Sequence, residues 1–275
     1  MPKREASPAA VARPVRIVTV ANQKGGVGKT TSAVNLATGL ALAGHRVLAI
    51  DLDPQGNAST GFGIPHHVGV PSVYDAIVAG RPLADVVCEA PESPNLRVVP
   101  ATIDLAGAEV ELVPLIAREA RLRKALRTYL SEEGAETEVV LVDCPPSLGL
   151  LTVNAFVAAT DVLIPIQCEY YALEGLGQLT RNVDLIRAHL NPTLRIGAIL
   201  LTMYDARTRL AEQVAADVRG HFEDLVLDTV IPRSVRLSEA PSFGTSVLAY
   251  DAASRGAQAY LAAARELAVR WSMAA

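Results

Sequence analysis

An α/β domain is what this 275-residue chain predicts: a single doubly wound, mainly parallel sheet of about seven strands with helices on both faces. Three observations carry that expectation. Short apolar runs of strand length alternate with longer stretches of helical periodicity along the whole sequence. Half of the residues are hydrophobic and only 4% aromatic, so Ala, Val and Leu supply the core, as suits strands buried under helices. The strands at Arg46–Ile50 and Val139–Asp143 run into aspartates, and open α/β sheets collect their ligands at strand carboxyl ends.

In order, Met1–Pro14 is Pro/Ala-rich and carries Lys3, Arg4 and Arg13. It is expected to be a disordered arm, inert or helping to hold DNA, ahead of one domain over residues 15–275. Ile17–Ala21 is the first strand. A helix follows from Lys29 to Ala43, with Gly44 as its stop. Arg46–Ile50 is the second strand, ending in Asp51-Leu52-Asp53-Pro54-Gln55-Gly56-Asn57, where Pro54 and Gly56 forbid regular structure. Ala58–Val70 reads as irregular, with His66 and His67 as surface loop residues. Val73–Val78 is a short helix stopped by Gly80, and Leu96–Val99 a strand stopped by Pro100.

Leu105–Leu130 is helical with a break or kink at Pro114. Its cations Arg118, Arg121, Arg123, Lys124 and Arg127 spread too widely round the helix for one stripe and read as a solvated face. Val139–Asp143 is a buried strand, then Pro145 and Pro146 turn the chain into a helix over Gly149–Ala159. Strands at Val162–Ile166, Leu194–Thr202 and Leu225–Ile231 alternate with helices at Leu173–Leu190, Leu210–Phe222 and Ser254–Trp271.

Composition excludes several classes. The formal net charge of −4 gives no global basic field, so any nucleic-acid binding needs a local patch. No apolar run approaches the ~18 residues of a membrane span, and no hydrophobic segment follows the basic N-terminus as a secretory signal requires. Cys88, Cys144 and Cys168 form no CxxC, which fits a reduced cytoplasm.

The chemistry concentrates in Lys24-Gly25-Gly26-Val27-Gly28-Lys29-Thr30-Thr31, a glycine-rich turn between strand and helix. Inward backbone N–H groups and the helix N-terminus cradle phosphates there. Lys29 would reach the β- and γ-phosphates and Thr30 would bind Mg²⁺. Asp143, closing its strand in the Walker B manner, would hold Mg²⁺ through water and orient Thr30. Gln23 stands where the general pattern of P-loop NTPases has glycine, and a second lysine, Lys24, stands beside it.

KGGVGKTT resembles the deviant Walker A box of the ParA/MinD group, and ParA/Soj-type segments continue through the chain from about Arg16 to Met273. That resemblance implies that Lys24 reaches the phosphates of a partner subunit's nucleotide in an ATP-dependent sandwich homodimer. Asp53 in DLDPQGN, similar to switch I, would position or activate the attacking water, with Asp51 supporting loop and metal shell. DCPPS is similar to switch II. Cys144 and Cys88 do not fit the iron–sulfur arrangement of nitrogenase-type relatives. Met203 and Pro232 correspond to base contacts; ATP follows from the family, and a guanine-reading NKxD loop is absent. Arg207, Arg209, Arg233 and Arg236 resemble the basic elements that bind double-stranded DNA non-specifically. EYYALEGL (Glu169–Leu176) is similar to the family's segment too, as partner face or core.

The implied function is chromosome or plasmid segregation. An ATP-bound dimer on the nucleoid would be released when a ParB-like centromere-binding protein stimulates slow hydrolysis. The alternatives are a MinD-like membrane-cycling ATPase, which needs a basic amphipathic C-terminal helix, and a nucleotide-switched DNA-binding regulator without turnover.

Overall fold

The computed structural model describes residues 14–170 and 172–273. The arm expected over residues 1–14 lies, but for Pro14, outside the described residues. The strands are β1 (Arg16–Val20), β2 (Val47–Asp51), β3 (Cys88–Glu89), β4 (Leu96–Val99), β5 (Val139–Asp143), β6 (Asp161–Gln167) and β7 (Arg195–Thr202). Among the described residues they make one sheet in the order β3-β4-β2-β5-β1-β6-β7, parallel throughout except for β3 at its edge.

Strand side chains alternate between two cores. Leu48, Ile50, Val140 and Val142 face one layer, while Val47, Ala49, Val139 and Leu141 face the other. The second layer is built by α1 (Lys29–Leu42) with α10 (Arg255–Arg270), beside the short helices α2 (Asn57–Gly61), α8 (Val235–Glu239) and α9 (Val247–Tyr250). Gly39 lets α1 and α10 approach closely, since a Cβ there would stand 3.0 Å from that of Ala264. Tyr260 and Ser32 share a hydroxyl hydrogen bond of 3.1 Å across the same contact. The first layer holds α4 (Arg121–Ser131), α5 (Leu150–Ala158), α6 (Ala172–His189) and α7 (Arg209–Phe222), with the short α3 (Ala108–Leu112) before α4.

Leu225–Ile231 departs from its expectation as a strand. Leu227 N donates to Ile199 O and Ile231 N to Leu201 O, but between them the chain leaves β7. The N–H groups of Asp228 and Thr229 donate instead to Glu266 on α10. Cys88–Glu89, not expected as a strand, pairs antiparallel with β4. Over Leu105–Leu130 the break falls around Pro114, as its missing N–H and ring dictate, between α3 and α4.

Register decides what meets at the sheet's carboxyl edge. Asp143 lies opposite Val20 on one side and Asp51 on the other. The loops after β1, β2 and β5 therefore converge on one crevice.

Candidate functional site

The phosphate-type loop leaves β1 and ends at α1. Gly26 and Gly28 hold φ of 74° and 85°, a left-handed backbone that side chains with a Cβ resist. A Cβ on Gly25 or Gly26 would meet no atom within 4 Å, so the concave side of the loop is open. Val27 is buried, and its carbonyl accepts from the Thr202 hydroxyl at 2.8 Å, tying the loop to the end of β7.

The two lysines of the loop have opposite surroundings. Lys29 is buried, and its Nζ donates to the Lys24 carbonyl at 3.1 Å, inside the turn. Burial lowers its pKa, while Asp143 and Asp53 hold it up. Lys24 stands at the rim with 45% of its side chain exposed and forms an ion pair with Glu169. Its backbone N–H donates to Asn22 Oδ1, and the Asn22 amide is anchored on Pro165 O at 2.8 Å.

Below the loop lie three carboxylates. Asp143 is buried, and neither of its oxygens has a hydrogen-bond partner, an arrangement that costs free energy unless a cation or water meets it. Burial pushes its pKa well above the usual carboxylate range and the charge of Asp51 adds to this, with Thr30 and Lys29 opposing. Open glycines above, a hydroxyl and a buried lysine beside, and an orphaned carboxylate below form a donor set that fits a phosphate with its divalent cation.

Asp51 has a different task. It accepts from the Ser59 hydroxyl at 2.7 Å, from Ser59 N at 2.8 Å and from Asp53 N at 3.1 Å. Burial raises its pKa to about 6 against the effect of those bonds. It pins the Asp53–Ser59 turn to the sheet. Asp53 itself accepts from Gln55 N at 3.0 Å, an Asx-type turn, and its charge acts on Lys29.

His66 lies in a loop, as expected, but is only half exposed. Its Nε2 hydrogen-bonds the Thr60 hydroxyl at 2.9 Å, and its ring fills the space that a Cβ on Gly56 would need. The ring reaches back across several residues to the turn after β2, and no motif in the sequence announces that. Cys144 is buried directly after Asp143; burial pushes its thiol pKa well up, with Asp143 next, so the thiolate is suppressed.

Met203 and Pro232 lie on neighbouring segments, for Tyr204 bridges to Pro232. Tyr204 N donates to Ile231 O and Arg233 N to Tyr204 O, so the loops after β7 and after Ile231 run side by side. Met203 takes φ of 51°, a strained value for a residue with a side chain, next to Thr202, which clamps the phosphate-type loop.

The four expected arginines divide. Arg207, Arg233 and Arg236 line one open cleft of about 740 Å³, and Arg255, which carries no sequence signal, joins them. Arg209 lies outside that lining, at the first residue of α7. Arg207 makes a bidentate pair with Asp205 at 2.9 and 2.7 Å, whose carboxyl is thereby pulled down to about 2. Arg236 pairs with Glu239 at 2.9 Å and with Asp251 at 3.3 Å.

Known proteins match this arrangement over nearly the whole chain. A family model described as an AAA domain covers residues 15–196. The chain is 53% identical over 255 residues to the chromosome partitioning protein ParA of Myxococcus xanthus, spanning 93% of this chain and 88% of that one. It is also 53% identical over 253 residues to the sporulation initiation inhibitor protein Soj of Bacillus subtilis, with 92% and 98% covered. Among solved structures, cobyrinic acid a,c-diamide synthase from Mycobacterium smegmatis with bound ADP and magnesium matches at TM-score 0.80 and 36% identity, over 94% and 96% of the two chains.

Proposed function

Because the chain belongs to the ParA/Soj family of chromosome-partitioning ATPases, we propose that it runs an ATP-gated cycle of dimerisation and DNA binding. ATP with Mg²⁺ is bound in the Gly25–Gly28 cradle. The observation that carries the reading is the opposed setting of the two lysines. Lys29 is turned inward to serve its own nucleotide, whereas Lys24 stands exposed at the rim, within reach of a second molecule.

Lys29 and the loop N–H groups hold the β- and γ-phosphates. Thr30 and, through water, Asp143 would hold the Mg²⁺ that would supply charge neutralisation to the phosphates. Asp53 orients or deprotonates the attacking water, while the bond from Gln55 N to its Oδ1 holds the carboxylate in place. Met203 and Pro232 flank the base. Lys24 from each subunit reaches the other's phosphates in the homodimer.

Arg207, Arg209, Arg233 and Arg236 contact duplex phosphates without reading sequence. Two such patches side by side in a dimer roughly add their contacts and gain effective concentration, which makes DNA affinity follow ATP occupancy. A ParB-like protein then stimulates hydrolysis through Asp53, which releases the dimer from the nucleoid and returns the protein to free monomers.

The packing of α10 speaks for DNA rather than a membrane as the docking surface. Tyr260, Ala263, Ala264, Leu267 and Trp271 are buried against α1 and the sheet, so this helix has its apolar face already covered. No described helix is long and apolar enough to cross a membrane.

The test is Asp53→Ala. It should keep nucleotide binding, lower phosphate release to about the uncatalysed background and leave the protein retained on duplex DNA in ATP. Release of Asp53→Ala from DNA at the wild-type rate, with phosphate production intact, would overturn the assignment.

A further inference from the structure

The solvent side of α4, opposite buried Leu122, Leu126 and Tyr129, borders a cleft of about 920 Å³ that no residue of the phosphate-type loop lines. Arg121, Arg123, Lys124 and Arg127 line it, and no carboxylate does. The sequence spreads these cations over half the helix. The turn through Ile116 and Ala117, the latter at φ 53°, supplies further lining, so the cations surround a concavity rather than solvent alone.

Their charges are not cancelled. Arg121 donates to the carbonyls of Ile77 and Val78 at 2.6 and 3.0 Å, and Arg123 to that of Leu190 at 3.4 Å, all neutral acceptors. Neither Lys124 nor Arg127 has an ion pair among the described residues, although the whole chain carries a net charge of −4. The cleft therefore reverses the sign of its surroundings. It is also apolar: Ile116 at its rim is 91% exposed, and Leu130 lines the interior. A phosphate backbone gains nothing from an uncovered isoleucine, whereas an aliphatic anchor does.

We propose that this cleft docks an acidic amphipathic segment of a partner protein. The segment's carboxylates would meet Arg123, Lys124 and Arg127, and an apolar side chain would cover Ile116. The mode is a charged helix or strand laid in a groove. The chain's own residues 1–13 have the wrong sign, with Lys3, Arg4 and Arg13 against Glu5 alone. The cleft shares no lining residue with the arginine cleft, so its occupant and duplex DNA would engage different side chains.

The experiment uses the full chain and a labelled amphipathic peptide with glutamates on one helical face and leucines on the other, followed by fluorescence anisotropy. Saturable binding is expected, weakened at least about tenfold in Arg123→Glu/Lys124→Glu/Arg127→Glu and several-fold in Ile116→Ser. The counterpart peptide with lysines for glutamates should not bind. Arg121 is left intact because it holds the Ile77–Val78 turn. Should the triple variant unfold on thermal melting, Ile116→Ser and Lys124→Gln each decide the matter singly. Equal peptide affinity in wild type and variants would overturn the proposal. So would a triple variant that keeps the peptide but loses duplex DNA or anionic vesicles, or one that loses only self-association.

Discussion

Asp143 and Asp51 hold two carboxyls in the dry floor of the site, and pH reports on both. Burial raises Asp51 from 3.8 to about 6 and drives Asp143 well above the usual range. A carboxyl raised on folding supports the fold fully below its unfolded value, and that support is lost as pH climbs through the folded value. The protein freed of nucleotide and Mg²⁺ should therefore lose stability through Asp51 as pH rises from about 4 to about 6, and Asp143 adds a loss of the same sign. Asp143→Asn removes one of them while keeping an oxygen that can still face the Thr30 hydroxyl. At about pH 8 in EDTA it should melt above wild type, with the gap narrowing as the pH falls. A lower melting temperature at pH near 8 would show that charge burial there is not unfavourable.

Lys24 is engaged by Glu169 rather than free. Both side chains are nearly half exposed, so the pair is worth at most about 1 kcal/mol. Glu169→Gln should thus lower the ATP concentration needed for dimerisation by a factor of about two to five. No change, or a higher requirement, on titration by light scattering would mean that the pair does not compete with assembly. Lys24 stands out in the sequence as a second lysine ahead of two glycines, and its expected role comes from the family resemblance alone. Glu169 as its partner was not legible, because only the fold brings the end of β6 to the loop after β1.

Among elements, the turn after β2 shows what a motif can and cannot carry. Pro54 and Gly56 mark an irregular loop, and Asp51 and Asp53 stand out at a strand end. The braces are not written in that pattern: Ser59 accepts from Ala101 N at 3.0 Å while donating to Asp51, and His66 packs over Gly56. Gly56→Ala should destabilise by about 1–3 kcal/mol, since it combines a φ of 65° with a Cβ 2.7 Å from the His66 ring. Adding His66→Ala should recover the steric part and leave the φ strain, which a double-mutant cycle in denaturant measures. Additivity of the two changes would contradict the packing described.

The strand count was legible, yet one member of it was not. Leu225–Ile231 has the β-branched, apolar make-up of a strand, but Glu266, far along the chain, takes the N–H groups that a ladder would use. Cys88–Glu89 has only two residues, too few for any period-two pattern to register.

For the whole molecule, the parallel order with β1 between β5 and β6 brings every loop of the site to one edge. Alternating runs and the glycine turn make that architecture readable in advance. The α4 cleft was not, since its concavity depends on the turn at Ile116–Ala117 as well as on the helix. We propose that a second copy of the chain completes the site through the exposed Lys24.

That central claim is tested by sedimentation velocity in Mg²⁺ with a non-hydrolysable ATP analogue. Wild type should shift from monomer to dimer on analogue addition, while Lys24→Ala binds the analogue with affinity within about threefold of wild type and stays monomeric. A Lys24→Ala protein that dimerises at the same analogue concentration as wild type would contradict the account.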